Sequence, residues 1–193
     1  HFLYNALEAI RSDALLADCE DIAETTEALA TFFRYTISNV QEYVTFSDEL
    51  DNAENYFTIQ RCRFGDKLDM ELEMENEDLL EARMPKLILQ PLAENAIDHG
   101  IDVSDNEDPT LWLTIREEDK HIFFEIRDNG AGMTQEKADQ ILTYQSSGYG
   151  VRNVCDRIHV LYGEKGEMKI ESTPGKGTRV FIRIPKNTEA KVL

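Results

Sequence analysis

The spacing of apolar residues changes partway along the chain, and that change limits the folds open to it. Leu3, Leu7, Ile10 and Ala14 form a helical stripe over residues 1–17. Ile22, Leu29, Phe32, Phe33 and Ile37 recur at helical spacing over residues 20–40. The short polar link between them predicts an antiparallel helical hairpin. Ser47, with Glu49 and Leu50, predicts the start of a third helix that runs to about Arg63 and stops near Gly65. The period then drops to two. Leu68, Met70, Leu72 and Met74 alternate with Asp69, Glu71, Glu73 and Glu75, the pattern of a half-buried strand with one wet face.

Pro85 opens a second helical stretch that ends at Gly100, with Pro91 either kinking it or marking its true start. Strands follow at Leu111, Leu113 and Ile115 and at Ile122, Phe124 and Ile126. Residues 129–149 are punctuated by Gly and Ser, and their C-terminal end is expected to be mobile. A helix is expected at about 150–162, then strands at Met168–Glu171 and Arg179–Ile184. Helices first, then strands mixed irregularly with helices, predict an α+β layered fold rather than a doubly wound sheet.

The formal net charge of -18 argues against nucleic-acid binding, which needs Lys and Arg to neutralise phosphates. It also argues against docking on an anionic membrane surface. A local pocket with a bound cation can still hold a nucleotide. Cys19, Cys62 and Cys155 lie far apart without zinc spacing, so they read as reduced thiols. No apolar run approaches the roughly 20 residues of a membrane span. The chain opens on His1 rather than Met, and reads as a piece of a longer protein.

Four segments carry chemistry. In Leu89–Gly100, the polar Glu94, Asn95 and His99 interrupt an apolar helix, and Asn95 and His99 share a face. An amide oxygen can ligate Mg²⁺ and an imidazole can donate to phosphate; the alternative is a solvated polar face. In Asp128-Asn129-Gly130-Ala131-Gly132-Met133, Asp128 can accept from the exocyclic amine of adenine, and the glycines let backbone lie against the base. The alternative is a tight Asn-Gly turn. Gly148-Tyr149-Gly150-Val151 leads into a helix and offers backbone N–H groups to phosphate, or is an ordinary loop. Gly175-Lys176-Gly177-Thr178 precedes the last strand and by itself reads as a hairpin turn.

In this order the four segments, within about Ser47 to Pro185, resemble the GHKL ATP-binding fold of histidine kinases, gyrase, Hsp90 and MutL. The resemblance implies a GHKL (Bergerat) α/β sandwich with a mixed, mostly antiparallel sheet and a mobile ATP lid at about 134–149. It makes Asn95 the metal residue of the N box. Asp128, Gly130 and Gly132 match the G1 box, Gly148 and Gly150 the G2 box, and Gly177 and Thr178 the last Gly-Thr element. His99, Met133 and Val151 join these as ATP-binding candidates, with ATP and Mg²⁺ as the implied ligands.

The N-terminus narrows the branch. His1-Phe2-Leu3-Tyr4-Asn5-Ala6-Leu7 resembles the phosphoacceptor motif of LytS/YesM-type sensor kinases. Phe33-Arg34-Tyr35, Glu49-Leu50, Tyr56-Phe57-Thr58-Ile59-Gln60, Arg63-Phe64 and the Gln90-Pro91-Leu92 form of the N box agree. The resemblance implies a protein-histidine kinase that phosphorylates His1 from ATP and passes the group to an aspartate of a response-regulator receiver domain. It divides the chain into truncated dimerisation and phosphoacceptor helices (1–45), a catalytic domain (46–186) and a tail (187–193). It implies a homodimer, and a bacterial inner-membrane sensor joined through upstream segments. Truncation predicts weak dimerisation and poor autophosphorylation.

Apart from the N-terminal motif, the GHKL resemblance places the glutamate base of the hydrolytic ATPases four residues before Asn95, where this chain has Pro91, and proline cannot activate water. A free imidazole is roughly three-quarters neutral at pH 7 and already nucleophilic. Glu94 is a base or a metal-shell group. Asn5, one turn after His1, is the position that orients water in other branches. His121 and His159 read as surface or packing residues. The rival readings are a degenerate, docking-only module, and a GHKL ATPase or serine kinase.

Overall fold

The structure, a computed structural model, describes residues 2–38, 42–143 and 149–186, with Asp66 and Tyr149 described in backbone alone. His1, Gly148 and the 187–193 tail lie outside the described residues.

Helices α1 (Phe2–Leu16) and α2 (Glu20–Ile37) form the expected hairpin. Asp18 takes the left-handed conformation in the turn. Only part of the predicted α1 stripe is used inside the hairpin: Leu7 and Ala14 are buried, whereas Leu3 is 44% and Ile10 51% exposed.

A short strand β1 (Tyr43–Thr45) follows, then helix α3 (Phe46–Phe64). The cap of α3 is Thr45 rather than the expected Ser47. Thr45 Oγ1 accepts from Asp48 N, and Asp48 Oδ2 accepts from Thr45 N. The capping box wins because it satisfies two otherwise orphaned amides at once. At the other end Gly65 closes the helix as expected.

Pro85 does not open a helix. It ends a strand, β3 (Arg83–Pro85), that pairs antiparallel with β1, where a proline at a strand terminus forfeits no ladder bond. The helix, α4 (Leu89–Asn95), begins four residues after Pro85, with Pro91 in its first turn, where a missing N–H costs nothing. It then widens into a π-helical turn over Ala96–Ile101.

The main sheet takes β2 (Asp69–Met74), β4 (Thr110–Glu118), β5 (His121–Asp128), β6 (Glu167–Ser172) and β7 (Thr178–Pro185) in the order β2-β4-β5-β7-β6. The β2–β4 pair is parallel and the other pairs are antiparallel. Inward residues of the central strands, among them Ile115, Ile122, Phe124, Ile182 and Ile184, are essentially sealed from solvent. They pack against α3, α4 and helix α6 (Tyr149–Tyr162), whose Val151, Val154 and Ile158 share one face. On the edge strand β2 the expected half-burial is incomplete, with Leu72 39% exposed. The Gly- and Ser-punctuated stretch holds a helix that its composition hides, α5 (Gln135–Ile141), capped by Thr134.

Candidate nucleotide-binding site

The end of β5 and three glycine-bearing segments meet at one place. Asp128, the last residue of β5, is 3% exposed. Its Oδ1 accepts from Gly130 N at 2.9 Å and Thr178 N at 3.3 Å, while no described residue bonds its Oδ2. Burial pushes the carboxyl up to about 6, partly offset by these backbone donors. Such a carboxylate, short of partners and short of water, fits a ligand that brings a hydrogen-bond donor.

The glycines are required by contact as well as by turn geometry. A Cβ on Gly130 would stand 2.1 Å from the carbonyl oxygen of Gly100. One on Gly177 would stand 2.0 Å from the carbonyl oxygen of Asp128, and φ there is +85°. Gly100 has a partner role the sequence did not reveal: its own Cβ would meet Asp128 Oδ1 at 2.8 Å. Gly132 presses against Thr173 in the same way, and Ala131 N donates to Gly100 O at 2.8 Å. The end of the N-box helix, the turn after β5 and the turn before β7 are therefore one close-packed backbone cluster around Asp128.

Thr178 is buried, with its hydroxyl bound to Ser172 Oγ at 3.0 Å. Ser172 also accepts from Met133 N at 2.8 Å, so Met133 is held beside the cluster. Ser172 was not anticipated; it lies in a strand whose apolar alternation gives no sign of it.

The helix bearing Asn95 is anchored at both ends. At its start, the fully buried carboxylate of Glu49 accepts from the backbone N–H groups of Leu87, Ile88 and Leu89 at 2.6, 2.8 and 2.8 Å. Tyr35 of α2 donates its hydroxyl to the same carboxylate at 2.5 Å. Burial and the Glu49 charge push the Tyr35 phenol far up, so it stays a donor. Lys86 Nζ donates to Tyr35 O and Ser38 O at the end of α2. At the far end, Arg63 bridges Asp98 and Asp102 of the π-turn at 3.3 and 2.8 Å.

Asn95 is half-buried and His99 exposed, and neither side chain bonds another described residue. Their shared face is modified by the π-turn, which starts right after Asn95 and winds more residues into each turn than an α-helix does. Glu94, also half-buried, accepts from Gln90 Nε2 at 2.7 Å. A Cβ on Gly150, in the first turn of α6, would stand 3.7 Å from Pro91 Cβ, and Val151 is buried. The start of α6 thus lies beside the helix of Asn95. Asn5 is exposed on the first turns of α1, with no contact to the Asp128 cluster among the described bonds. His1 and Gly148 cannot be placed, being outside the described residues.

Of two open hollows, of about 410 and 600 Å³, the second reaches the edge of this cluster at Ser172 and Thr173. The first is on the outer sheet face around Phe123 and Phe181, and the second lies between α5 and β6. Among the described residues no group of three or more His, Cys, Asp and Glu side chains is placed to hold a metal ion.

The strand order and the helices packed on one face define the class, the GHKL α/β sandwich. The chain belongs to the histidine kinase-, DNA gyrase B-, and HSP90-like ATPase family, whose profile matches residues 81–188. A second profile, histidine kinase, matches residues 1–68. The chain is 36% identical over 194 aligned positions to the sensor histidine kinase YesM of Bacillus subtilis, covering 98% of this chain and 32% of that protein. It is 31% identical over 190 positions to the sensor histidine kinase BtsS of Escherichia coli, again covering 98% and 32%. It spans about a third of the length of these curated relatives. Among solved structures, the catalytic domain of the histidine kinase ThkA matches with a TM-score of 0.57 at 16% identity, over 76% of this chain and 97% of that one. The histidine kinase domain of the blue-light activated kinase of Erythrobacter litoralis matches with 0.56 at 14%, over 95% and 92%.

Proposed function

We propose that the chain is the kinase core of a two-component sensor, transferring the γ-phosphoryl group of ATP to His1 and then to an aspartate of a response-regulator receiver domain. Residues 1–45 are the dimerisation and phosphoacceptor helices, and 46–186 the catalytic domain. The observation that carries this reading is the buried Asp128, with one oxygen saturated by backbone and the other without a described partner, inside a close-packed glycine cluster. Adenine offers the amine donor that oxygen lacks.

In this reading Asp128 selects adenine, while Gly130, Gly132 and Gly177 let the backbone segments around it pack closely enough to hold it in place. Met133 and Thr178 line it. The start of α6, with Gly150 and Val151, turns backbone N–H groups and the positive helix end toward the phosphates. Asn95 holds Mg²⁺ and His99 reaches phosphate oxygens. The metal's charge lowers the cost of crowding negative charge at transfer. Catalysis is mainly positioning, because a neutral imidazole is already a nucleophile. Glu94 stands next to the metal residue and takes the proton or supports the metal shell. Pro91, in the first turn of the same helix, leaves no base at the hydrolytic position, which disfavours an ATPase. Exposed apolar residues on the hairpin support a homodimer. Relatives that are sensor kinases support attachment to a membrane sensor; among the described residues no helix is long and apolar enough to cross a membrane.

The test is Asp128→Asn. Its amide can present a donor to the adenine amine, so Mg-ATP affinity should fall about tenfold, the value of one charge-assisted bond, with weaker discrimination against GTP. Calorimetric titration with both nucleotides reads this; unchanged affinity and selectivity would remove Asp128 from the site. Acid-labile phosphate that disappears in His1→Gln tests the transfer itself.

A further inference from the structure

The nucleotide site gives no work to Gln90, yet it is among the most constrained polar side chains near it. Gln90 sits in the first turn of α4 and is 7% exposed. Its Oε1 accepts from Asn52 Nδ2 of α3 at 2.7 Å and from Thr36 Oγ1 of α2 at 3.2 Å. The Asn52 NH₂ group fixes the sense of the amide, because the opposite orientation would set N–H against N–H, whereas the Thr36 hydroxyl can donate or accept and follows it. The NH₂ group is therefore committed to the remaining neighbour. That neighbour is Glu94, one turn along α4, whose Oε1 accepts from Gln90 Nε2 at 2.7 Å.

We propose that Gln90 is a positioning residue for phosphoryl transfer. It fixes the Glu94 carboxylate beside Asn95, and through Thr36 it ties that orientation to the hairpin that carries the acceptor histidine. The proposal rests on the reading of Glu94 as a participant in transfer. Its physical basis is conformational. A glutamate has three rotatable bonds, and a half-buried one without a partner would sample several rotamers. A charge-assisted bond from a donor that cannot itself rotate selects one of them. Asn52, 2% exposed, makes the anchor rigid by joining α3 to it. Thr36 lies in the last turn of α2, beside Tyr35, so a shift of α2 pulls on the same carbonyl that orients Glu94. Its hydroxyl also lies 2.9 Å from Phe32 O, an alternative bond it can keep when Gln90 moves away.

A cluster that only satisfied buried polar groups would change folding stability and leave the ratio of rate to affinity alone. A positioning residue changes the rate at saturating nucleotide. The experiment uses the full-length protein and measures the autophosphorylation rate at saturating Mg-ATP, the nucleotide Kd and the thermal midpoint. Gln90→Leu should slow transfer about 10- to 100-fold, the cost of misplacing a reacting group by about 1 Å, with Kd changed less than about threefold. Thr36→Val, isosteric and low in folding risk, should slow it by a smaller factor, about 2- to 5-fold. On a Glu94→Gln background, adding Gln90→Leu should cost nothing more, since the residue it orients is already disabled.

A Gln90→Leu effect that multiplies fully with Glu94→Gln overturns the relay, as does a full rate in Gln90→Leu when Glu94→Gln is slow. A parallel loss of rate and affinity reduces Gln90 to a structural role. If Gln90→Leu does not fold, Thr36→Val decides, and an unchanged rate there overturns the proposal. A full rate in Glu94→Gln alone overturns the underlying reading of Glu94, whereas the Gln90 comparisons fail only when Glu94 matters.

Discussion

At the scale of single residues, Asp128 carries a pH signature as well as the proposed contact with adenine. An aspartate in an unfolded chain titrates near 3.9. Burial raises Asp128 to about 6 in the folded chain. Between these values the folded protein keeps a proton that the unfolded chain has released. The stability this contributes is complete below about pH 4 and is lost as pH rises through about 6. The difference in stability between the protein and Asp128→Asn should therefore decline from pH 4.5 to 7, by on the order of 2 kcal/mol. Thermal melts of both across that range read it directly. A difference that is flat or grows with pH would mean that the carboxyl is hydrated or paired, and the adenine assignment would lose its electrostatic basis. Asp128 was singled out in the sequence because its segment stands in order with three others; by itself, Asp-Asn-Gly after a strand reads as a tight turn. The roles of Ser172, Gln90 and Asn52 were not legible. Each is a polar residue made important by a partner far along the chain, and spacing within one element carries no trace of that.

At the scale of elements, the joint between the hairpin and the catalytic domain is the feature that sequence periodicity misses most. The segments Phe33-Arg34-Tyr35 and Glu49-Leu50 stood out without a stated task. In the fold they meet: Tyr35 ends α2, Glu49 starts α3, and together they cap α4. A fully buried carboxylate is costly unless paired, and here three helix-start amides and a phenol supply the pairing. Lys86 completes the joint, with its pKa lowered by burial and its head group shared between carbonyls at the end of α2. Arg157 of α6 donates to Lys86 O at 2.6 Å and draws that helix in. Glu49→Gln, which removes the charge and turns an acceptor into a donor against the amides, should cost about 3 kcal/mol of stability. Tyr35→Phe removes only one donor and should cost about 1–2 kcal/mol. Urea titration of the two variants checks the order. A Tyr35→Phe loss as large as that of Glu49→Gln would mean that the carboxylate serves the hairpin contact and not the cap. The long helices and the antiparallel strands were legible because their apolar residues repeat over several turns or pleats. The β1–β3 pair is three residues a side, too short to show a period. In α5 only Ala138 is buried, so nothing repeats. The π-turn after Asn95 leaves no mark in composition, yet it sets where His99 points.

At the scale of the whole molecule, charge and exposed apolar surface pull in opposite directions. The outer sheet face carries Arg116, Arg127, Arg179 and Lys169, but these are engaged. Arg179 pairs with Glu125, Arg116 with Glu118 and Lys169 with Glu167, while Arg127 stacks over Trp112. That face therefore offers no basic patch to relieve the net charge of -18. On the hairpin, by contrast, Phe2, Leu3, Ile10, Ile22 and Ile37 stay between 44% and 88% exposed, and Leu3 and Ile10 lie two turns apart on α1. The hairpin uses Leu7 and Ala14 in its own packing and leaves the rest exposed, which supports the proposed contact with a second copy. Burying each large side chain is worth about 1.5–3 kcal/mol, enough to drive self-association against the repulsion of two acidic chains. Repulsion between them is screened by salt, with a Debye length of about 10 Å at 0.1 M and about 3 Å at 1 M. Association should therefore strengthen as salt rises, the reverse of an interface built on ion pairs. Ile10→Asp should weaken it at least about tenfold at any salt, while Mg-ATP affinity stays at its original value, because α1 makes no described contact with the Asp128 cluster. Light scattering across a concentration series at low and high salt measures the first, and calorimetry the second. Weaker association at high salt, or an Ile10→Asp protein that dimerises as well as its parent, would place the contact between copies on another surface.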